Sequence, residues 1–265
     1  MDKSIVSRYF GKMALCFLTG MIIIGGTLGS RGEALAAGSA FLSFQFKEPY
    51  AATKFKNSAS LGPKAGYCVQ STGSCPSVGK NYAGYNPGIT STTGAAYFDG
   101  NDRIVVSGTN TWPTNTEASV EIWVKPSFQS TTATAFEIFE KGNLDLIIYS
   151  DGSIAVDLPT TNSATSKNLW TNPGIVKDEL WSQIVLTYGG SVAKIYYNGK
   201  LVAKTTYKGS VDTSKGVQNL TIGDSSNVYN PTSGFVGGMD EFKVYNKALT
   251  QSRILDMYNN VMYSN

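Results

Sequence analysis

Residues 181–206 read WSQIVLTYGGSVAKIYYNGKLVAKTT. Three runs rich in strand-forming side chains, 181–188, 193–197 and 200–206, are separated by Gly189-Gly190 and by Asn198-Gly199. Asn-Gly suits a type I′ hairpin, because both central residues must take φ > 0. Two such turns in succession make three antiparallel strands. No βαβ crossover fits between them.

The same pattern continues on both sides. Residues 117–125 (EASVEIWVK) place Ala118, Val120, Ile122 and Val124 on one face. Strands follow over 135–140, 144–149 and 153–158, the last pair joined by Asp151-Gly152, and further strands over 217–222 and 239–245. An antiparallel meander of this kind buries one face of each sheet most naturally as a β-sandwich. Two segments depart from it. Residues 62–94 carry little periodicity and read as a long loop. Near the end, Thr250 caps a predicted short helix whose Ile254, Met257, Tyr258 and Val261 form an apolar stripe. There is no internal repeat and no sign of a second domain.

The 265 residues are 42% hydrophobic and 15% charged, with 28 Gly in no fixed period, which argues against disorder and against collagen. A net charge of +3 is too small for a nucleic-acid footprint. Histidine is absent, which removes His triads, His bases and His metal ligands. Residues 1–36 read as a secretory signal: Lys3, Arg8 and Lys12 precede an apolar stretch over 13–28, and Ala34-Leu35-Ala36 ends in a small-residue cleavage site. An uncleaved anchor is the rival reading, but the apolar stretch is shorter than the ~20 residues a span needs. Cleavage leaves one domain, 37–265, with a net charge of +1 and no further segment for membrane insertion. Of the three cysteines, Cys16 lies in the signal. Cys68 and Cys75 are then expected to form a disulfide in an oxidising compartment, since no further Cys or His completes a metal site. Closing that short loop is worth about 2–3 kcal/mol in the chain-entropy model.

From about residue 41 to 260 the chain resembles the concanavalin A-like lectin/glucanase superfamily, in its bacterial laminin-G-like branch. The pieces occur in order: Phe44-Gln45-Phe46 as the opening strand, Asn57-Ser58-Ala59 where Asp-Ser-Ser is frequent, and Phe98-Asp99-Gly100-Asn101-Asp102 with Ile104. Ile122-Trp123-Val124-Lys125-Pro126, the strand from Trp181, Tyr197-Asn198-Gly199 and Leu220-Thr221-Ile222-Gly223 come next. Gly238-Met239-Asp240-Glu241-Phe242 and Tyr245-Asn246-Lys247-Ala248-Leu249 close the series. The resemblance implies a jelly-roll β-sandwich with a short C-terminal helix. It also implies a structural calcium ion, with Asp240 as a ligand and Asn57 where an Asp is usual. Oxygen ligation suits that ion, and Asn57 would bind it more weakly than Asp. The alternative is that Asp240 hydrogen-bonds nearby amides. Asp99 and Asp102 read as turn residues.

Glucanases of this fold carry E-x-D-x-E on one strand face. The nearest match, Glu137-Ile138-Phe139-Glu140, has its acids three apart, so they face opposite sides of a strand, while i+2 and i+4 hold Phe139 and Lys141. No catalytic residue is therefore expected. Trp123 and Trp181 lie on strands and read as core. Trp112, Trp170, Tyr82 and Tyr85 lie in loop-like stretches and are the candidate ligand-binding residues, against the alternative that they pack their own loops. The expectation is a secreted or surface-exposed, non-catalytic binding module whose partner is a glycan or an extracellular surface protein. A structural or adhesive surface subunit is the alternative, and a glycoside hydrolase a third.

Overall fold

The computed structural model describes residues 39–49, 51–68, 75–78, 89, 94–108, 111–113, 116–162, 167–224 and 234–263. The expected signal over 1–36, Tyr82 and Tyr85 lie outside the described residues. Two antiparallel eight-stranded sheets form a sandwich. The first contains β1 (Ala40–Phe44), β4 (Ser77–Val78), β5 (Ala96–Asp99), β7 (Ala118–Pro126), β12 (Ser182–Gly189), β13 (Val192–Tyr197), β14 (Lys200–Thr206) and β16 (Val236–Tyr245). Its order is β14-β13-β12-β7-β16-β5-β4, with β1 also on β16. The second contains β2 (Lys54–Lys56), β3 (Ala65–Cys68), β6 (Ile104–Val106), β8 (Ala135–Gly142), β9 (Leu144–Tyr149), β10 (Ile154–Leu158), β11 (Lys167–Trp170) and β15 (Val217–Ile222). Its order is β11-β10-β9-β8-β15-β6-β3-β2.

Alternation places the core where the sequence puts it. Ala118, Val120, Ile122 and Val124 of β7 join Ile184 and Leu186 of β12 and Leu144, Leu146 and Ile148 of β9 in one cluster between the sheets. The Asn198-Gly199 turn has φ of +49° and +77°, as a type I′ hairpin needs. Helix α1 (Gln251–Met262) is capped by Thr250, whose Oγ1 accepts from the Arg253 amide at 3.3 Å. It lays Ile254 and Met257 on Val185, Tyr196 and Tyr245, covering the outer face of the first sheet.

Three expectations are corrected. The stretch 62–94 is not only loop: it contributes β3 to the second sheet and β4 to the first. Neither strand is long enough to show alternation. The expected disulfide joins Cys68, the last residue of β3, to Cys75, two residues before β4, so it ties one sheet to the other. Trp123 is buried outside the inter-sheet core, stacked on Tyr258 of α1 at 5.8 Å and 8°. Trp181 is only partly buried, with its ring against Gly238.

Gly199 combines a left-handed backbone with close approach, since a Cβ there would meet Leu255 Cδ1 of α1 at 2.8 Å. Gly190 has φ +55° and open space around its missing Cβ. Gly190→Ala should therefore cost about 1 kcal/mol for backbone conformation alone, and Gly199→Ala a further 1–3 kcal/mol, roughly, for overpacking. Equal losses in urea denaturation would show that the helix does not constrain the turn.

Candidate functional site

With α1 over the first sheet, the outer face of the second sheet is where polar side chains gather. Antiparallel pairing sets directly opposed residues on the same side. One row therefore runs across the sheet through Lys54, Tyr67, Val105, Thr221, Glu140, Asp145, Asp157 and Asn168. A parallel row contains Glu137, Ile147, Ala155 and Trp170. Val105, Thr221 and Glu140 are buried, whereas Asp145, Ile147, Tyr149, Asp157, Asn168 and Trp170 retain exposure. The accessible part of this face is the β9–β11 side.

Glu137 and Glu140 share this face, contrary to the spacing argument. A bulge lies between Glu137 and Phe139 in the pairing of β8 with β9. Its cause is visible in the core: Phe136, Ile138 and Phe139 are all buried between the sheets. Two adjacent inward residues require one extra residue in the strand, and the alternation restarts one position out. The acids are thereby brought to one side.

Their electrostatics follow. Burial, then Asp145, Glu140, Asp224 and Asp157, hold the Glu137 carboxyl well above its ordinary value. Asp145 is pushed up to about 7 by burial, then by Glu140 and Asp157. Glu137 Oε1 and Asp145 Oδ1 are buried with no hydrogen-bond partner. Desolvated like charges account for both shifts.

Trp170 is 50% exposed and lies on β11, an edge strand, rather than in a loop. Its ring meets Tyr149 at 5.0 Å and 31°. The backbone beneath is fixed by the pairing of Ala155 with Trp170, and Thr171 extends the ladder by donating to the Ile154 carbonyl at 2.9 Å and accepting from the Ile154 amide at 2.8 Å. Tyr149 was missed by the loop-based choice of aromatics, although alternation along LDLIIY puts Asp145, Ile147 and Tyr149 on one face.

Trp112 is not a ligand-binding residue. It is 7% exposed, donates from Nε1 to Tyr188 Oη at 2.8 Å, and stacks on Phe139 at 5.8 Å, spanning the two sheets from inside. Asp99 and Asp102 are turn residues as expected: Asp102 Oδ2 accepts from the Asp99 amide and Asp99 Oδ1 from the Asn101 amide.

The two calcium candidates differ. Asp240 is fully buried, with Oδ1 accepting from the Glu241 amide and Oδ2 without a partner. Burial first, then the Glu241 charge, raise it to about 7 against the opposing amides of Glu241 and Ile89 and the Lys243 charge. An orphaned buried carboxylate oxygen fits a cation. Asn57 does not fit: its Oδ1 accepts from the Ser43 and Ala59 amides at 2.8 and 2.9 Å, and its Nδ2 donates to the Pro63 carbonyl. Both lone pairs of its oxygen are used. Among the described residues, no three His, Cys, Asp or Glu converge as a metal site.

A family model of the concanavalin A-like lectin/glucanases superfamily, laminin G type, matches residues 98–255. The chain belongs to this superfamily. No protein of curated function matches it by sequence. Among solved structures, a botulinum neurotoxin serotype D ligand binding domain in complex with N-acetylneuraminic acid is 17% identical with a TM-score of 0.57, over 86% of this chain and 52% of that one. The botulinum neurotoxin serotype G binding domain gives 17% and 0.60, over 85% and 52%. Domain 4 of an extracellular arabinanase from Geobacillus stearothermophilus, in complex with arabinotriose, gives 18% and 0.56, over 84% of this chain and 99% of that one. The chain thus spans about half the length of the neurotoxin domains. At these identities the likeness is one of fold. Among the described residues no helix is long and apolar enough to cross a membrane.

The pH dependence of stability tests the acid row. The folded chain holds protons on Asp145 that the unfolded chain releases between pH 3.8 and about 7. The contribution of Asp145 to stability is therefore fully present below that window and is lost as pH rises through it. Asp145→Asn removes the titration while keeping the shape. Its stability should exceed that of wild type at pH 8 by on the order of 2–4 kcal/mol and converge with it near pH 4, read from urea denaturation. A gap that does not change with pH would reject the electrostatic account.

Proposed function

We propose that this chain is an exported, non-catalytic module that binds a glycan on the outer face of its second sheet, on the β9–β11 side. The observation that carries the reading is the half-exposed Trp170 ring set against Tyr149, with Asp157 and Asn168 beside it. An exposed aromatic ring accepts the apolar face of a sugar, and adjacent carboxylate and amide groups serve its hydroxyls. Export is supported by the signal pattern over 1–36 and by the disulfide, which suits an oxidising compartment. Two of the similar folds are known with sugars bound, and all are binding domains or parts of extracellular enzymes by description.

A glycan array followed by calorimetry on the mature protein tests this. Trp170→Ala should weaken the best oligosaccharide at least about tenfold, the effect of losing about 1.4 kcal/mol of stacking, while moving the melting temperature little. Trp112→Ala should instead destabilise the fold by about 3–5 kcal/mol, because it empties a core position. No glycan bound, or affinity indifferent to Trp170, would overturn the platform. Release of reducing ends from a bound glycan would overturn the non-catalytic half of the reading.

Calcium is proposed for Asp240 without Asn57. An ion bound only by the folded chain stabilises it by about 2.7 kcal/mol at a hundredfold excess over Kd. Calcium should raise the melting temperature of chelator-treated wild type and leave Asp240→Ala unchanged. A wild type indifferent to millimolar calcium rules the ion out.

A further inference from the structure

We infer that the glycan taken by the β9–β11 face is cationic, an oligosaccharide of amino sugars with free amines. This rests on the platform reading above and narrows it to one ligand class.

Asp145 stands between Glu140 and Asp157 as a direct cross-strand neighbour of each. Like charges directly opposed across strands oppose sheet formation, yet three adjacent strands present them here. Glu137 adds a fourth carboxylate to the face. It is 5% exposed, and its Oε1 finds no partner. It is near enough to Asp145, Glu140 and Asp157 for their charges to act on it. The lysine next along β8 lies on the opposite side of the strand from Glu140. Lys141 opposes Leu220, a core residue, and its ammonium donates to the Gln218 carbonyl.

A metal ion is not the natural occupant, since among the described residues no three such side chains converge on one point. The charge is instead spread along a row, at about 4.8 Å per strand. A ligand that answers it carries amines at intervals along a chain. The second observation is independent of charge. Trp170 and Tyr149 form a tilted pair of rings in contact on the same face, and Tyr149 lies within electrostatic reach of Asp157 and Glu137. A ring that stacks on Trp170 therefore has its substituents beside these carboxylates. Aromatic faces also attract ammonium groups, which adds to the same preference. An acidic sugar on this face would meet the row with the wrong sign.

The test compares three probes by calorimetry at pH 7: a glucosamine tetramer, its fully N-acetylated counterpart, and sialyllactose. The free-amine tetramer should bind at least tenfold tighter than the acetylated one, and sialyllactose should not bind. The preference should collapse in 0.5 M NaCl and in Asp157→Asn, whereas Trp170→Ala should weaken both tetramers alike. If the acetylated tetramer, or sialyllactose, binds as tightly as the amine, the amino-sugar inference is wrong while the platform stands. If none of the three binds and the glycan array is blank, the platform itself is wrong. Salt-sensitive binding of the amine with an affinity that Trp170→Ala leaves unchanged would also overturn the inference, because the amines would then be held away from this face.

Discussion

Ile138 and Phe139, adjacent in sequence and both buried between the sheets, set the geometry on which the site depends. Phe139 meets Trp112 at 5.8 Å and Phe242 of the opposite sheet at 5.9 Å. Backbone pleating cannot turn two consecutive side chains inward without an extra residue, and the bulge in β8 supplies it. Everything beyond the bulge changes face by one step. Glu140 consequently stands beside Asp145 on the outside instead of pointing into the sandwich, where an unpaired carboxylate would cost several kcal/mol, roughly. The core thus dictates the arrangement of the outer acids.

The first sheet solves a different problem with a similar device. β16 is ten residues long and meets β7 along one edge. Its other edge is shared, by β5 up to Met239 and by β1 from Phe242. At the changeover β16 is bulged, and Glu241 takes φ +54°. A left-handed non-glycine residue inside a strand is held only where its surroundings over-determine it. Here Asp240 caps its amide, Lys243 pairs with its carboxylate at 2.5 Å, and Gln45 reaches it from the chain just after β1. The opening strand is fastened at this point, which is why the Asp240 carboxylate is buried at all.

Much of the architecture was legible in the sequence because it rests on local rules. Alternation located β7, β9, β12 and β15 to within a residue or so, Asn-Gly located a hairpin, and Thr250 located a helix start. What escaped had no local signal. β3, β4 and β11 have four residues or fewer, too short for a period to emerge, and they exist through pairing with distant partners. The two loop-like tryptophans were equivalent as sequence. One is inside because Tyr188 offers its hydroxyl to the indole between the sheets, and the other is outside because β11 is an edge strand. Asn57 looked like a weakened ligand because only its residue type was visible, not the three backbone groups it already serves.

The bulge was the costliest omission, because the catalytic reading turned on which way Glu137 and Glu140 point. Spacing along a strand predicts sidedness only when the strand is regular, and regularity is decided by the core, not by the acids. Once the acids are on one face, their energetics cease to be those of a structural element. A row of cross-strand carboxylates with Glu137 on the same face, and with buried unpartnered oxygens on Glu137 and Asp145, opposes folding at neutral pH. The sandwich tolerates this because its stability comes from the apolar layer beneath, where Leu146, Ile148 and Val156 are almost wholly buried. The same strands alternate between the two tasks, inward residues holding the fold and outward ones held at its expense. An occupant that both stacks on Trp170 and neutralises Asp145 and Asp157 would relieve that cost on binding, so the feature that weakens the free protein is also the one that would discriminate among its ligands.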